Sequence, residues 1–242
     1  MTDALSGLGD IWVYLAASPL LSLTLTLAAY LASLFVYEKS GRMALFHPLL
    51  LSIVVIVTVL MLTGTSYDTY FEGAQFVHFL LGPATVALAV PLYRQWDRIK
   101  RRAVAIVVGL IAGSLTAIAS TLALAAALGA DRETLMSLAP KSVTTPVAMG
   151  IVEKLGGLPS LAAVFVLITG VLGATAGPFV LTLVGIRDER ARGFGLGMAS
   201  HGLGTARALQ EGEAAGAFSG LAMGLNAIAT AILLPLIWSM MF

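Results

Sequence analysis

The chain has 242 residues, of which 58% are hydrophobic and only 11% charged, with a formal net charge of +1. A soluble globular domain is about 25% charged, so the composition excludes an ordinary soluble enzyme, and the near-neutral balance offers nothing to a nucleic-acid partner. Cysteine is absent, which excludes disulfides, thiolate metal sites and cysteine nucleophiles.

The first ten residues, MTDALSGLGD, carry Asp3 and Asp10 and no basic residue. That is not the start of a signal peptide, and the apolar run behind it is expected to be a retained helix. Runs free of Asp, Glu, Lys and Arg cover Ile11–Val36, Met43–Tyr67, Gly73–Tyr93, Ala103–Ala130, Leu155–Ile186 and Ala214–Phe242. Each is long enough for a membrane-spanning helix, which needs about 20 mostly apolar residues. Thr134–Val152 and Gly193–Ala206 are apolar but interrupted. The expected fold is one all-α polytopic membrane domain over residues 1–242 with about eight membrane segments, two of them broken or re-entrant. No loop is long enough for a separate catalytic domain, so no enzyme is expected. Trp12, Trp96 and Trp238 read as interface anchors.

An internal repeat appears at an offset of 57 residues. Pro83 falls on Pro140, Thr85 on Ser142, Val86 on Val143 and Val90 on Val147. The stretch Ala105–Ala119 falls on Ala162–Ala176 with eight identities in fifteen positions, including Gly113 on Gly170. The units are approximately 73–130 and 131–186. Each has a segment broken by proline, GPATVALAVP or APKSVTTPV, followed by a long smooth helix with a central glycine that lets another helix approach. Repeats containing broken helices are the pattern of secondary transporters.

Two basic loops, YRQWDRIKRR and RDERAR, should both be cytoplasmic by the positive-inside rule. They lie on one side if the segment around Pro140 re-enters, and on opposite sides if it crosses. Re-entry would make the repeat inverted.

The break LAPKSVTTPV is costly in lipid. Pro140 and Pro146 lack N–H donors, and non-helical backbone at that depth must lie against protein or a water-filled cavity. Lys141 at mid-depth costs a further ~2.5–3.5 kcal/mol on insertion scales. The expected use is a cavity in which Lys141 attracts a small carboxylate and Ser142, Thr144 and Thr145 supply hydroxyls. The bland reading is a snorkelling lysine with hydroxyls that patch the backbone. In the equivalent break, Pro83 and Thr85 are the matching residues.

A second constellation, ASHGLGTAR, contains Ser200, His201, Gly202, Gly204, Thr205 and Arg207. Gly202 and Gly204 are expected to let the backbone unwind and expose amides. His201 can donate a hydrogen bond or carry a proton, and Arg207 grips carboxylates bidentately. The bland reading is a glycine patch for helix packing. Asn226 reads as a hydrogen-bonding partner of a neighbouring helix rather than a cavity residue. No HExxH, P-loop or dinucleotide fingerprint occurs, and no cofactor or metal is expected.

The stretches FLLGPATVALAVPLY, LAPKSVTTPVAM and GMASHGLGTARALQEGEAAGAFSGLAMGLN together resemble the LrgB/CidB family of bacterial membrane proteins, from about Ala28 to the C-terminus. The resemblance implies a multi-pass protein of the bacterial inner membrane working with a small LrgA/CidA-like membrane partner. It carries two descriptions of function. One is an antiholin-like modulator of murein hydrolase activity and autolysis. The other is transport, since a plastid relative is a glycolate/glycerate carrier and bacterial pairs are linked to pyruvate. With the cavity residues, this leads to the expectation of a secondary transporter of small 2-oxo or 2-hydroxy monocarboxylates. The alternative is a regulator without a substrate of its own. Homo-oligomerisation stays open.

Overall fold

The computed structural model describes residues 19–41, 46–80, 83, 86, 87 and 89–241. Every regular element among them is helical. They are α1 (Pro19–Lys39), α2 (Pro48–Thr63), α3 (Tyr67–Phe79), α4 (Ala89–Arg94), α5 (Trp96–Arg101), α6 (Ala103–Ala127), α7 (Arg132–Leu138), α8 (Thr145–Leu155), α9 (Pro159–Leu183), α10 (Glu189–Glu211) and α11 (Glu213–Met241). The chain divides into two compact units, Met1–Ala87 and Leu88–Phe242.

In the first unit α1 packs on α2 and α3. Gly73 makes the α1–α3 approach possible, because a Cβ there would strike the Pro19 carbonyl and the Ser22 side chain. A 2.7 Å hydrogen bond joins Thr26 Oγ1 and Tyr70 OH across the same pair. α2 starts at Pro48, which needs no N–H partner in the first turn, and ends at Gly64 in the left-handed conformation.

The second unit contains three long helices, α6, α9 and α11. α6 and α9 are 25 residues each, about 37 Å at 1.5 Å per residue, enough to cross a ~30 Å hydrocarbon layer with some tilt. Between them the chain folds into two helical hairpins. The first is α7–α8. The chain leaving α8 returns to the last turn of α7, where the Leu158 N–H donates to Ser137 Oγ at 2.9 Å. Leu135, Met136 and Ile151 share one core cluster with Ile118 and Leu122 of α6 and Leu234 and Trp238 of α11. The second hairpin is α10 itself. Ser200 (φ −133°, ψ 15°) and His201 (φ 43°, ψ −127°) are non-helical and reverse the chain. A straight helix would hold Arg192 and Glu211 about 28 Å apart, yet Arg192 Nε donates to Glu211 Oε2 at 2.9 Å. Asp188 caps the entering arm, accepting from the Arg190 and Ala191 N–H groups.

The hairpins enter from opposite ends. The α7–α8 ends lie beside the C-termini of α6 and α11. The α10 ends lie beside the C-terminus of α9, where Arg192 Nη1 donates to Thr182 Oγ1 at 3.1 Å and to the Ile186 carbonyl. A hairpin followed by a long helix therefore occurs twice, as α7–α8–α9 and as α10–α11.

Four helices among the described residues have the length and apolar character to cross a membrane: Pro19–Lys39, Ala103–Ala127, Pro159–Leu183 and Glu213–Met240. Only 17–22% of each spanning window is buried, and Leu31, Phe35, Val104, Leu172 and Ile232 lie exposed along them. Water would not tolerate so much contiguous apolar surface, whereas lipid matches it. Within the expected Gly193–Ala206 segment the chain turns back at Ser200–His201. Most of the expected first break lies outside the described residues; Thr85 is among those, and Pro83 is described as exposed. Trp12 also lies outside them. Trp238 is not an exposed anchor: it is 6% exposed, packed in the α6–α7–α11 core, with the Arg132 guanidinium over its ring.

Candidate functional site

The tips of the two hairpins meet at Asn226, near the middle of α11. Pro140 and Pro146 cannot donate to a helical ladder, so the chain from Ala139 to Thr144 leaves the helix and its carbonyls need partners. The Asn226 Nδ2 group donates to the Ser142 carbonyl at 3.3 Å and to the Met198 carbonyl at 3.2 Å. The second carbonyl belongs to the last turn before the α10 reversal. Asn226 Oδ1 accepts from Ser114 Oγ of α6 at 2.7 Å and from Thr230 Oγ1 at 3.4 Å. One side chain, 1% exposed, thus satisfies freed backbone in both tips and ties them to α6. The expectation of a neighbouring-helix partner holds, but the hub it forms is larger than the sequence suggests.

The glycines of the long helices make room for the tips. A Cβ on Gly170 would come within 2.6 Å of the His201 ring, and one on Gly173 would overlap Ser200 Oγ. A Cβ on Gly113 would meet the Met198 methyl at 2.7 Å. Gly113 and Gly170, equivalent in the repeat, therefore face the α10 tip from two helices. His201 Nε2 is 3.0 Å from the Val166 carbonyl, which makes Nε2 the donor to that oxygen.

A cavity of about 770 Å³ lies beside this junction. It is lined by Lys141 and Ser142 from the first tip and by Ser200 from the second. Its walls are Gly113 and Thr116 of α6, Thr169, Gly173 and Gly177 of α9, and Leu196 and Met198 of α10. Lys141 is the one charged side chain in this lining. Its half-buried ammonium makes no hydrogen bond or ion pair among the described residues. Ser200 Oγ is buried and also lacks a protein partner among them. A cation without a counter-ion, with Ser142, Ser200, Thr116 and Thr169 around it, suits a small monoanion.

The other expected site residues fall into three places. Thr144 is the N-cap of α8 and Thr145 its first residue, with Pro146 in the first turn; they stand behind the tip rather than in the cavity lining. Thr205 is 2% exposed and sits inside the α10 hairpin, donating to the His201 carbonyl at 2.9 Å and pairing with Ser219 Oγ at 3.0 Å. Arg207 is far along the returning arm, with Nη1 donating to Gln210 Oε1 at 3.0 Å and Nε 4.0 Å from Glu211.

The unwinding expected at Gly202 and Gly204 occurs instead at Ser200 and His201. Neither glycine has positive φ; His201 does. Gly204 serves close packing, because a Cβ would strike the Leu196 carbonyl on the opposite arm, and Gly193 and Gly197 similarly admit the backbone of α11 at Ala215 and Ser219. Nothing lies within 4 Å of a Cβ built on Gly202. The cavity threonines Thr116 and Thr169 carry no sequence signal, since hydroxyl residues recur along both apolar helices, with Ser114, Ser120 and Thr121 in α6 and Thr175 and Thr182 in α9.

Comparison with known proteins agrees with this architecture. The LrgB-like family matches over residues 26–240. Bacillus subtilis YxaC is 41% identical over 222 residues, covering 92% of this chain and 96% of its own. The holin-like protein CidB of Staphylococcus epidermidis is 31% identical over 217 residues, 90% of this chain and 94% of its own. The antiholin-like protein LrgB of Bacillus subtilis is 29% identical over 218 residues, with 90% and 94% coverage. No solved structure matches. Apolar spanning helices and these relatives make the chain a multi-pass protein of a bacterial membrane, and the match across nearly its whole length places it in the LrgB-like family.

Proposed function

We propose that the second unit binds and moves a small monocarboxylate, of the 2-oxo or 2-hydroxy class such as pyruvate or glycolate, through the cavity at the hairpin tips. The observation that carries this reading is Lys141: a cation in the cavity lining with no acidic side chain beside it there. On this reading its ammonium balances the carboxylate, while Ser142 and Ser200 reach the substrate oxygens. Thr205 braces the α10 tip through the His201 carbonyl, Thr144 and Thr145 start α8, and His201, outside the cavity lining, is read as the proton carrier. Arg207 is remote, at the mouth of the α10 hairpin. Each hairpin is read as a re-entrant membrane segment, which gives the inverted plan of many transporters. Both basic loops then lie at one end, cytoplasmic by the positive-inside rule, as supported by the approach of Arg190 to Arg98, Arg101 and Arg102. A small LrgA/CidA-like membrane protein is the expected partner.

The test is counterflow of labelled pyruvate or glycolate into proteoliposomes, with and without that partner. Saturable counterflow is expected, with loss of at least ~10-fold in Lys141→Gln, a charge-removing change worth over ~1.4 kcal/mol. Wild-type uptake by Lys141→Gln would remove the lysine from the site.

A second reading is favoured by the names of the relatives, holin-like and antiholin-like. In it the chain regulates murein hydrolase activity and autolysis and has no substrate of its own. It expects no binding of small acids by purified protein, and an autolysis phenotype that survives Lys141→Gln.

A further inference from the structure

At the end of the second unit opposite the α7–α8 hairpin mouth, a separate cavity of about 800 Å³ is lined by Arg98, Arg101, Arg102 and Arg190 together with Val104, Ala105 and Val108. Three of these arginines come from the stretch that leads into α6 and the fourth from the start of α10. The two segments are drawn together where Gly109 admits the Phe194 ring, 3.3 Å from a Cβ position there, above a small core of Ile99, Ile106 and Phe218.

The charge in this cavity is mostly uncompensated. Arg190 is paired with Asp188, whose carboxyl the Arg190 guanidinium holds below the usual carboxylate range. Arg98 donates to the neutral Gln95 Oε1 at 2.9 Å. The side chains of Arg101 and Arg102 make no hydrogen bond or ion pair among the described residues. Guanidinium groups match phosphate oxygens with paired parallel donors. The apolar part of the wall has a direction: Val104 and Val108 are 79% and 60% exposed and lead onto the outer face of α6, a membrane-spanning helix. A free phosphate would use the arginines and leave the valines idle. A phospholipid uses both, with its phosphate among the arginines and its acyl chain along the valines.

We propose that this cavity is a binding site for an anionic phospholipid headgroup, seated where α6 enters the membrane. Basic pockets between membrane helices on the cytoplasmic side recognise such headgroups. The site is independent of the Lys141 cavity and of what that cavity carries.

The test is native mass spectrometry of the full chain in detergent, titrated with phosphatidylglycerol, with phosphatidylcholine, or with inorganic phosphate as competitor. Each arginine near the headgroup contributes about five-fold. Wild type should therefore prefer phosphatidylglycerol by on the order of 100-fold, the product of three such factors, and R98Q/R101Q/R102Q should bring the two lipids close to parity. R101Q alone should lower it about five-fold, which keeps the reading available if the triple variant fails to fold. R187Q removes the same charge at the same end without touching the cavity lining, and should change nothing. Equal retention of the two lipids by wild type, an undiminished preference in R101Q, or an equal loss in R187Q would overturn the site. Displacement of the lipid by millimolar phosphate would make it a soluble-anion site and overturn the lipid assignment.

Discussion

At the scale of single residues, Asn226 carries the most structure per side chain. Hydrogen bonds between membrane helices average only about 0.6 kcal/mol, because unfolded helices in lipid find other partners. Asn226 differs in what it bonds. The Ser142 and Met198 carbonyls are released by a broken turn, and without the amide they have no ladder to return to. An unsatisfied buried polar group costs ~1–3 kcal/mol. Asn226→Ala should therefore destabilise by ~2 kcal/mol or more in detergent unfolding, whereas Ser114→Ala, which removes a single donor to Oδ1, should cost ~1 kcal/mol or less. Equal effects of the two would show that the tips hold together without the amide. The sequence marks Asn226 as the lone amide in its run, which gives its chemistry. It does not give its partners, because those depend on two chain reversals far away in the sequence.

At the scale of elements, the two reversals were unequally legible. The α7–α8 break announces itself through Pro140 and Pro146, which forbid a continuous helix, and through Lys141, which lipid would reject. The α10 reversal has no proline. Its neighbouring glycines draw attention to Gly202 and Gly204, yet the turn falls on Ser200 and His201. Tertiary packing overrides local preference there: Gly170 and Gly173 leave space for the tip, and the imidazole gains the Val166 carbonyl. Backbone strain remains at His201, whose φ of 43° favours glycine. Such residues cost about 1–3 kcal/mol and persist where the surroundings over-determine them. His201→Ala loses the ring and keeps the strain, while His201→Gly loses the ring and relieves it. His201→Gly should thus be the more stable of the two by ~1–2 kcal/mol in thermal unfolding. The reverse order would mean that the chain does not turn at this residue in the folded protein.

At the scale of the whole molecule, the alternation of apolar runs gave the helical membrane class, and the long helices α6 and α9 coincide with the two smooth halves of the 57-residue repeat. The count of crossings was less legible, because hydropathy reads composition and cannot tell a segment that crosses from one that turns back. The hairpin ends within the second unit offer a direct test. Glu133 of α7 and Lys154 of α8 stand near the two ends of one hairpin, while Asp97 of α5 and Arg187, just before α10, belong to the opposite end. All four are exposed. The chain has no cysteine, so single cysteines placed by Glu133→Cys, Lys154→Cys, Asp97→Cys and Arg187→Cys can be read without background. With an impermeant thiol reagent on intact cells and on inverted vesicles, Glu133→Cys and Lys154→Cys should label from the same side. Asp97→Cys and Arg187→Cys should label together from the other side, the cytoplasmic one by the positive-inside rule. If α7 and α8 instead formed one crossing segment, Glu133→Cys and Lys154→Cys would label from opposite sides. The two basic loops would then also part company, and the re-entrant reading of the α7–α8 hairpin would fall.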